Sequence, residues 1–139
     1  MGRPDIVIAR CKTLLRKDMF STPSRGTIVF HPGICPEHRN AHGCFWALAN
    51  NDVKKVGLTL LRIDEGVDTG RVYAYCSCDF DEVAESHILI QHRVLLDNLD
   101  GVQEKLQDIA GGAAVPLDTS GRSSGSWGFH WFDGIPRRP

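Results

Sequence analysis

The sequence has no excess of charge of either sign. Sixteen Lys and Arg face seventeen Asp and Glu, leaving a net charge of -1 over 139 residues. That balance excludes a broad basic field for nucleic acid. No apolar run approaches the roughly 20 residues that a membrane-spanning helix needs. There is no internal repeat and no secretory signal. The five cysteines, Cys11, Cys35, Cys44, Cys76 and Cys78, are an odd number without the spacing of a disulfide framework. Reduced thiols in a cytoplasmic protein are therefore expected. What is present is ordinary for one globular domain: 42% apolar and 24% charged residues, enough to build a core.

The pattern along the chain predicts an α/β fold. Asp5 to Ala9 is a continuous run rich in β-branched residues and reads as a strand buried on both faces. Leu14 to Phe20 is a short helix candidate, and Pro23 and Gly26 punctuate a turn. Thr27 to Phe30 reads as a second strand, Val56 to Ile63 as a third and Arg71 to Cys78 as a fourth. Gly43 to Asn50 reads as a helix. Ile88, Leu95, Leu99, Val102, Leu106 and Ile109 recur every three to four positions, except for one skipped turn at Gln91, and predict a helix over about 83–109. Asp81 is its candidate N-cap and Gly111-Gly112 its stop, while Gly101 would kink or split it. Strands alternating with helices imply a mainly parallel, Rossmann-like sheet with flanking helices. Residues 1–112 form the predicted domain. Residues 113–139 form a Gly/Ser-rich segment and a tail in which Trp127, Phe129, Trp131 and Phe132 crowd together and should dock on the domain or a partner.

In an open sheet of this kind ligands bind beyond the carboxyl ends of the strands. His31 follows the second predicted strand and Asp68 the third, so both are placed at that edge. They also belong to an ordered series. Phe30-His31-Pro32-Gly33-Ile34-Cys35-Pro36-Glu37-His38-Arg39 opens it, Phe45-Trp46-Ala47-Leu48, Asn51-Asp52 and Val56-Gly57-Leu58-Thr59-Leu60 follow, and Asp64-Glu65-Gly66-Val67-Asp68-Thr69-Gly70 closes it. This series resembles the second half of the formyltransferase domain of methionyl-tRNA, glycinamide ribonucleotide and sugar N-formyltransferases, over roughly Pro4 to Gly112.

The resemblance implies formyl transfer from a folate through a tetrahedral oxyanion. It carries the role of the catalytic His onto His31 and that of the Asp onto Asp68. The first would polarise the carbonyl and the second would orient the ring and relay protons. The bland alternatives are a loop His satisfied by backbone and a turn Asp. The family's Asn two residues before the His is missing, because Val29 stands there. Asn40 is the nearest polar candidate to replace it, or a plain turn residue. The resemblance also places a 10-formyltetrahydrofolate-like donor against Arg10, Cys11 and Lys12 and against Glu65 and Val67 of the acidic loop. Arg39 is a candidate grip for a carboxylate or phosphate, or one half of a structural ion pair.

The nucleotide-binding first half of the family domain is absent. Its loss would leave Ile6, Val7 and Ile8 on an open edge, which a homodimer would cover by pairing the strand with its symmetry mate or by laying the aromatic tail over it; the alternative expectation is that the chain is a fragment of something longer. His31, Cys35, His38, His42 and Cys44 also offer zinc ligand types, but not in a standard spacing, and zinc is not the favoured reading. Cys76 and Cys78 lie two apart on a strand, on one face, and read as packing residues. The leading expectation is an enzyme transferring or hydrolysing a formyl or related carbonyl group on a small molecule. The alternatives are a non-catalytic binding or assembly module, and an enzyme reusing His31 and Asp68 on another small carbonyl.

Overall fold

A computed structural model describes residues 2–10, 13–39 and 41–124 of the chain. The strands are β1 (Val7–Ala9), β2 (Thr27–Pro32), β3 (Leu58–Arg62) and β4 (Val72–Cys76). The helices are α1 (Lys17–Phe20), α2 (Gly43–Ala49), α3 (His87–Asp97) and α4 (Leu99–Gly111). The strands form one sheet in the order β1-β2-β3-β4.

The α/β class stands, but the strand directions differ from the mainly parallel expectation. Only β1 and β2 are parallel; β2 with β3 and β3 with β4 are antiparallel. The loop after β3 is too short for a crossover, so β4 must return as the second arm of a hairpin. A register shift between Leu60 and Leu61 makes Tyr73 an extra residue in β4, as in a bulge.

Alternation gives the sheet two unlike faces. Ile28, Phe30, Leu58, Leu60 and Cys76 point to one of them. There they pack with Cys44 and Ala47 of α2, Ile90 and Val94 of α3, and Val102 and Ile109 of α4. Val29, Leu61 and Val72 point to the other, where they meet Cys35 and Tyr75. The three longer helices lie on the first face; the short α1 touches this one, where Thr27 Oγ1 donates to the Phe20 carbonyl (2.9 Å). The loops 33–39 and 64–70 and the segment ending at Arg122 lie on it, tied by His31, Arg39, Asp68 and Tyr75.

Two further expectations are corrected. β1 is not buried on both faces: it is the last strand of the sheet, with Val7 38% and Ile8 51% exposed. The long helix breaks at Asn98, not at Gly101, which lies inside α4. The Asn98 side-chain amide donates to the Val94 carbonyl at the end of α3 (2.7 Å) and to the Ser77 carbonyl beyond β4 (2.9 Å). That satisfies an orphan helix-end acceptor and pins the break to the sheet. Ser86, whose Oγ accepts from Leu89 N–H, caps α3. Asp81 instead accepts from Val83 and Ala84 in the preceding turn. Gly112, at φ 79°, ends α4 as predicted.

Candidate functional site

His31 is the penultimate residue of β2, inside the strand rather than just beyond it. Strand alternation turns its ring to the loop-covered face, on the same side as Val29. It is 7% exposed. Because His31 pairs with Thr59 and Ile28 with Arg62, the carboxyl ends of β2 and β3 lie at opposite edges of the sheet. The edge argument that placed His31 and Asp68 together therefore fails. They meet for another reason. The acidic loop leaves the far end of β3 and folds back over the face, bringing Asp68 Oδ2 to 3.4 Å from His31 Nδ1.

The acidic loop is built for that fold-back. Asp64 Oδ1 accepts from Gly66 N–H (2.9 Å) and Thr69 Oγ1–H (2.6 Å), a side-chain-closed turn. Asp68 adopts φ 52°, a left-handed conformation that Asp tolerates. At Gly70, an added Cβ would fall 1.6 Å from the Arg62 carbonyl oxygen. Arg39 Nε donates to the Asp68 backbone carbonyl (3.0 Å) and holds the tip of the loop in place.

On its other side His31 is fixed by backbone. Its Nε2 lies 2.8 Å from the His38 carbonyl oxygen. A carbonyl only accepts, so Nε2 carries a proton and Nδ1 is the nitrogen that faces Asp68. Thr59 Oγ1 donates to Gly33 O (2.6 Å) and accepts from Cys35 N–H (3.0 Å), which locks the start of the loop.

The Cys35 thiol lies beside this pair, and burial first, then the Asp68 carboxylate, pushes it up to about 12. Burial also raises Cys44, to about 11. Neither is a thiolate at neutral pH, so neither is a ready nucleophile. Cys76 and Cys78 pack in or against the helix-side core.

A polar network closes the outer side of the loop. Arg122 pairs with Glu37 through two hydrogen bonds of 2.7 Å, and donates to the Tyr75 hydroxyl (2.9 Å) and the Cys35 carbonyl (3.2 Å). Tyr75 in turn donates to that carbonyl (2.6 Å). The guanidinium, followed by its other hydrogen-bonding and cationic neighbours, holds the Glu37 carboxyl down at about 2.

The structure thus gathers His31, Asp68 and Arg39. Val29 packs against Leu61 and Val72 and presents no polar atom to the ring. Glu65 is exposed and pairs with Lys17 at 2.5 Å. Val67 is 38% exposed, and Arg10 is exposed at the end of β1. Cys11, Lys12 and Asn40 lie outside the described residues, as do the tail aromatics. The zinc candidates turn to separate partners: His38 to Asp52 and the Cys44 thiol to the Gly57 carbonyl. Among the described residues no three His, Cys, Asp or Glu side chains converge to hold a metal.

Sequence reasoning missed Asp64, Thr59, Asp52, Glu37 and Arg122. The Asp-x-Gly spacing at 64–66 signals the side-chain-closed turn. The other ties span long sequence separations and carry no local signal.

Fold and site define an α/β protein with an imidazole and a carboxylate paired over a Rossmann-like sheet. The formyl transferase family model matches residues 3–105, and the chain belongs to that family. It is 32% identical over 108 residues to human mitochondrial 10-formyltetrahydrofolate dehydrogenase, covering 78% of this chain and 12% of the relative. A 4-N formyltransferase from Francisella tularensis superposes with a TM-score of 0.70 at 19% identity, over 90% of this chain and 50% of that one. A formyltransferase from Anoxybacillus kamchatkensis, solved with a formamido sugar nucleotide and tetrahydrofolate, gives 0.67 at 18% identity, over 91% and 66%. The chain therefore spans a fraction of the length of the relatives it matches. Among the described residues no helix is long and apolar enough to cross a membrane.

Proposed function

We propose that this chain acts on a formyl or related carbonyl group carried by a 10-formyltetrahydrofolate-like donor, by transfer to an amine or to water. The observation that carries this reading is the 3.4 Å approach of His31 Nδ1 to Asp68 Oδ2, with Nε2 already bound to a backbone carbonyl. With Nε2–H bound to the carbonyl, Nδ1 is the nitrogen open to a proton: it takes up the one lost by the attacking group, passed on by Asp68, and then donates to the developing oxyanion, while Asp68 orients the ring. The attacking nitrogen or water oxygen bonds to the formyl carbon, the bond from that carbon to the donor nitrogen breaks, and the displaced nitrogen takes a proton.

A cleft of about 520 Å³ beside the acidic loop is lined by Phe20, Arg62, Ile63, Asp64, Glu65, Gly66, Gly70 and Arg71. Its aromatic ring, carboxylate acceptors and two guanidinium groups suit a flat heterocycle rich in N–H donors with an anionic tail, as folates are. Glu65 is the sequence-predicted ligand residue that lines it. Incubating the whole chain with 10-formyltetrahydrofolate and following tetrahydrofolate absorbance tests the reading. Turnover that disappears in His31→Ala is the expected result; undiminished turnover in that variant would remove His31 from its role.

A second reading is favoured by Val29. Losing one oxyanion donor typically lowers rate by about 10²–10³-fold, and Val29 offers none. A non-catalytic binding module would bind folate, seen as a raised melting temperature, without turnover. We also propose a homodimer paired through the open edge of β1, supported by the exposure of Val7 and Ile8. A concentration-independent monomer mass in sedimentation would refute it. A reducing, cytoplasmic setting is proposed as well, on the free state of Cys35, Cys44, Cys76 and Cys78.

A further inference from the structure

We infer that Asp52 and His38 form a positioning pair for His31, holding the carbonyl that dictates which ring nitrogen faces the reacting group. The inference rests on the reading of His31 as the carbonyl-polarising group.

The seat of His31 is a single peptide oxygen, that of His38, at 2.8 Å from Nε2. The surrounding backbone is shaped to admit this oxygen. A Cβ added at either Gly33 or Gly43 would come within 2.8 Å of it, closer than any real side chain tolerates. Gly33 also sits at φ 137°, which L side chains rarely adopt. Two glycines therefore leave a slot, and the His38 carbonyl fills it.

His38 is held by its backbone N–H, which donates to the Ile34 carbonyl (2.9 Å), and by its own side chain. The ring is 4% exposed, its Nε2 lies 2.9 Å from Asp52 Oδ2, and its Nδ1 is buried with no partner. A half-satisfied imidazole is a poor packing element, because an unmet buried acceptor opposes folding. The polar bond to Asp52 is what this ring supplies that an apolar side chain could not.

Asp52 is itself fixed by backbone. Its N–H donates to Ala47 O at the end of α2 (2.8 Å), and its carbonyl accepts from Lys55 N–H (2.9 Å). A chain of contacts thus runs from the end of α2 through Asp52, His38 and a peptide oxygen to His31, and on to Asp68. A shift of the His38 carbonyl would free Nε2 and let the ring take the other tautomer, in which Nδ1 already carries the proton and can no longer take one up from the attacking group.

The test reads the ring directly. Imidazole 15N NMR of the whole chain should show His31 protonated on Nε2. Asp52→Ala and His38→Phe should redistribute that proton toward Nδ1, whereas Asp52→Asn, which can still accept from His38, should keep the native pattern. In turnover assays the two disruptive variants should lose kcat by up to about 10²-fold with the donor KM unchanged, as for a misplaced catalytic group. The Asn variant should recover most of the rate. A His31 tautomer indifferent to both disruptive changes would overturn the inference, as would a wild-type ring protonated on Nδ1 alone. The wild-type spectrum decides even if a variant fails to fold. The NMR result stands apart from turnover, so an inactive wild type would sink the functional proposal while leaving the positioning claim to its own measurement.

Discussion

One face of the sheet is covered by the three longer helices and closed by apolar contact, whereas the other is covered mainly by loops and pinned by polar bonds. On the first, Ile28, Leu60, Ile90 and Val94 are fully buried, and burial of that kind contributes about 1.5–3 kcal/mol per side chain without demanding a precise geometry. On the second, the apolar cluster is small, and position is set by directed bonds: Thr59 to Gly33, Tyr75 to Cys35, Arg122 to Glu37. The difference separates two tasks. Apolar packing makes the sheet stable, and the hydrogen bonds decide where an imidazole and a carboxylate sit to within a fraction of an ångström.

The contrast can be broken by paired substitutions. The largest effect is expected on the loop face. His31→Ala should lower formyl turnover by about 10²–10⁴-fold, measured as initial rate per folded molecule. Ile90→Ala on the helix face should cost about 2–5 kcal/mol of stability in urea titrations, while turnover per folded molecule stays near the native value. If Ile90→Ala abolished turnover in molecules shown to be folded, the division of labour would be wrong.

Acid sharpens the same comparison. The Glu37 carboxyl is lowered from 4.5 to about 2, so the folded chain binds its proton less readily than the unfolded chain does. The stability it contributes is fully present above about pH 4.5 and is lost as pH falls toward 2. Urea midpoints taken at pH 6 and pH 3 should drop more for the native chain than for Glu37→Gln, which lacks the titrating group. Parallel drops would show that the Arg122 pair does not couple to folding.

The smallest expected effect runs the other way. Gly101 lies in the middle of α4, and an added Cβ there meets nothing. Gly101→Ala should therefore raise stability by about 0.5–1 kcal/mol, seen as a higher melting temperature with turnover unaltered. A loss would mean that the exposed side of α4 is covered by something beyond the described residues.

What could be read from the sequence follows the range of the interactions. α2 and the end of α4 at Gly112 are written locally, in Phe45-Trp46-Ala47-Leu48 and in a glycine free to take positive φ. The cores of β2 and β3 are legible as β-branched and apolar runs. The break at Asn98 is not, because it depends on a hydrogen bond to Ser77, which is remote in sequence. The approach of Asp68 to His31 was expected for an incorrect geometric reason: β3 runs against β2, and only the fold-back of the acidic loop restores the meeting. The ties of His38 to Asp52 and of Glu37 to Arg122 are made by tertiary structure alone, and no periodicity signals them.

The sheet also has unequal ends. Leu117 N–H donates to the Val72 carbonyl (2.8 Å), on the side of β4 away from β3, while among the described residues no strand lies beyond β1. An edge whose backbone groups are already engaged resists further pairing, and one whose groups are open invites it. The Leu117 contact takes up an acceptor on the outer rail of β4, so a strand arriving there would have to displace it, whereas among the described residues β1 carries no such contact on its outer side.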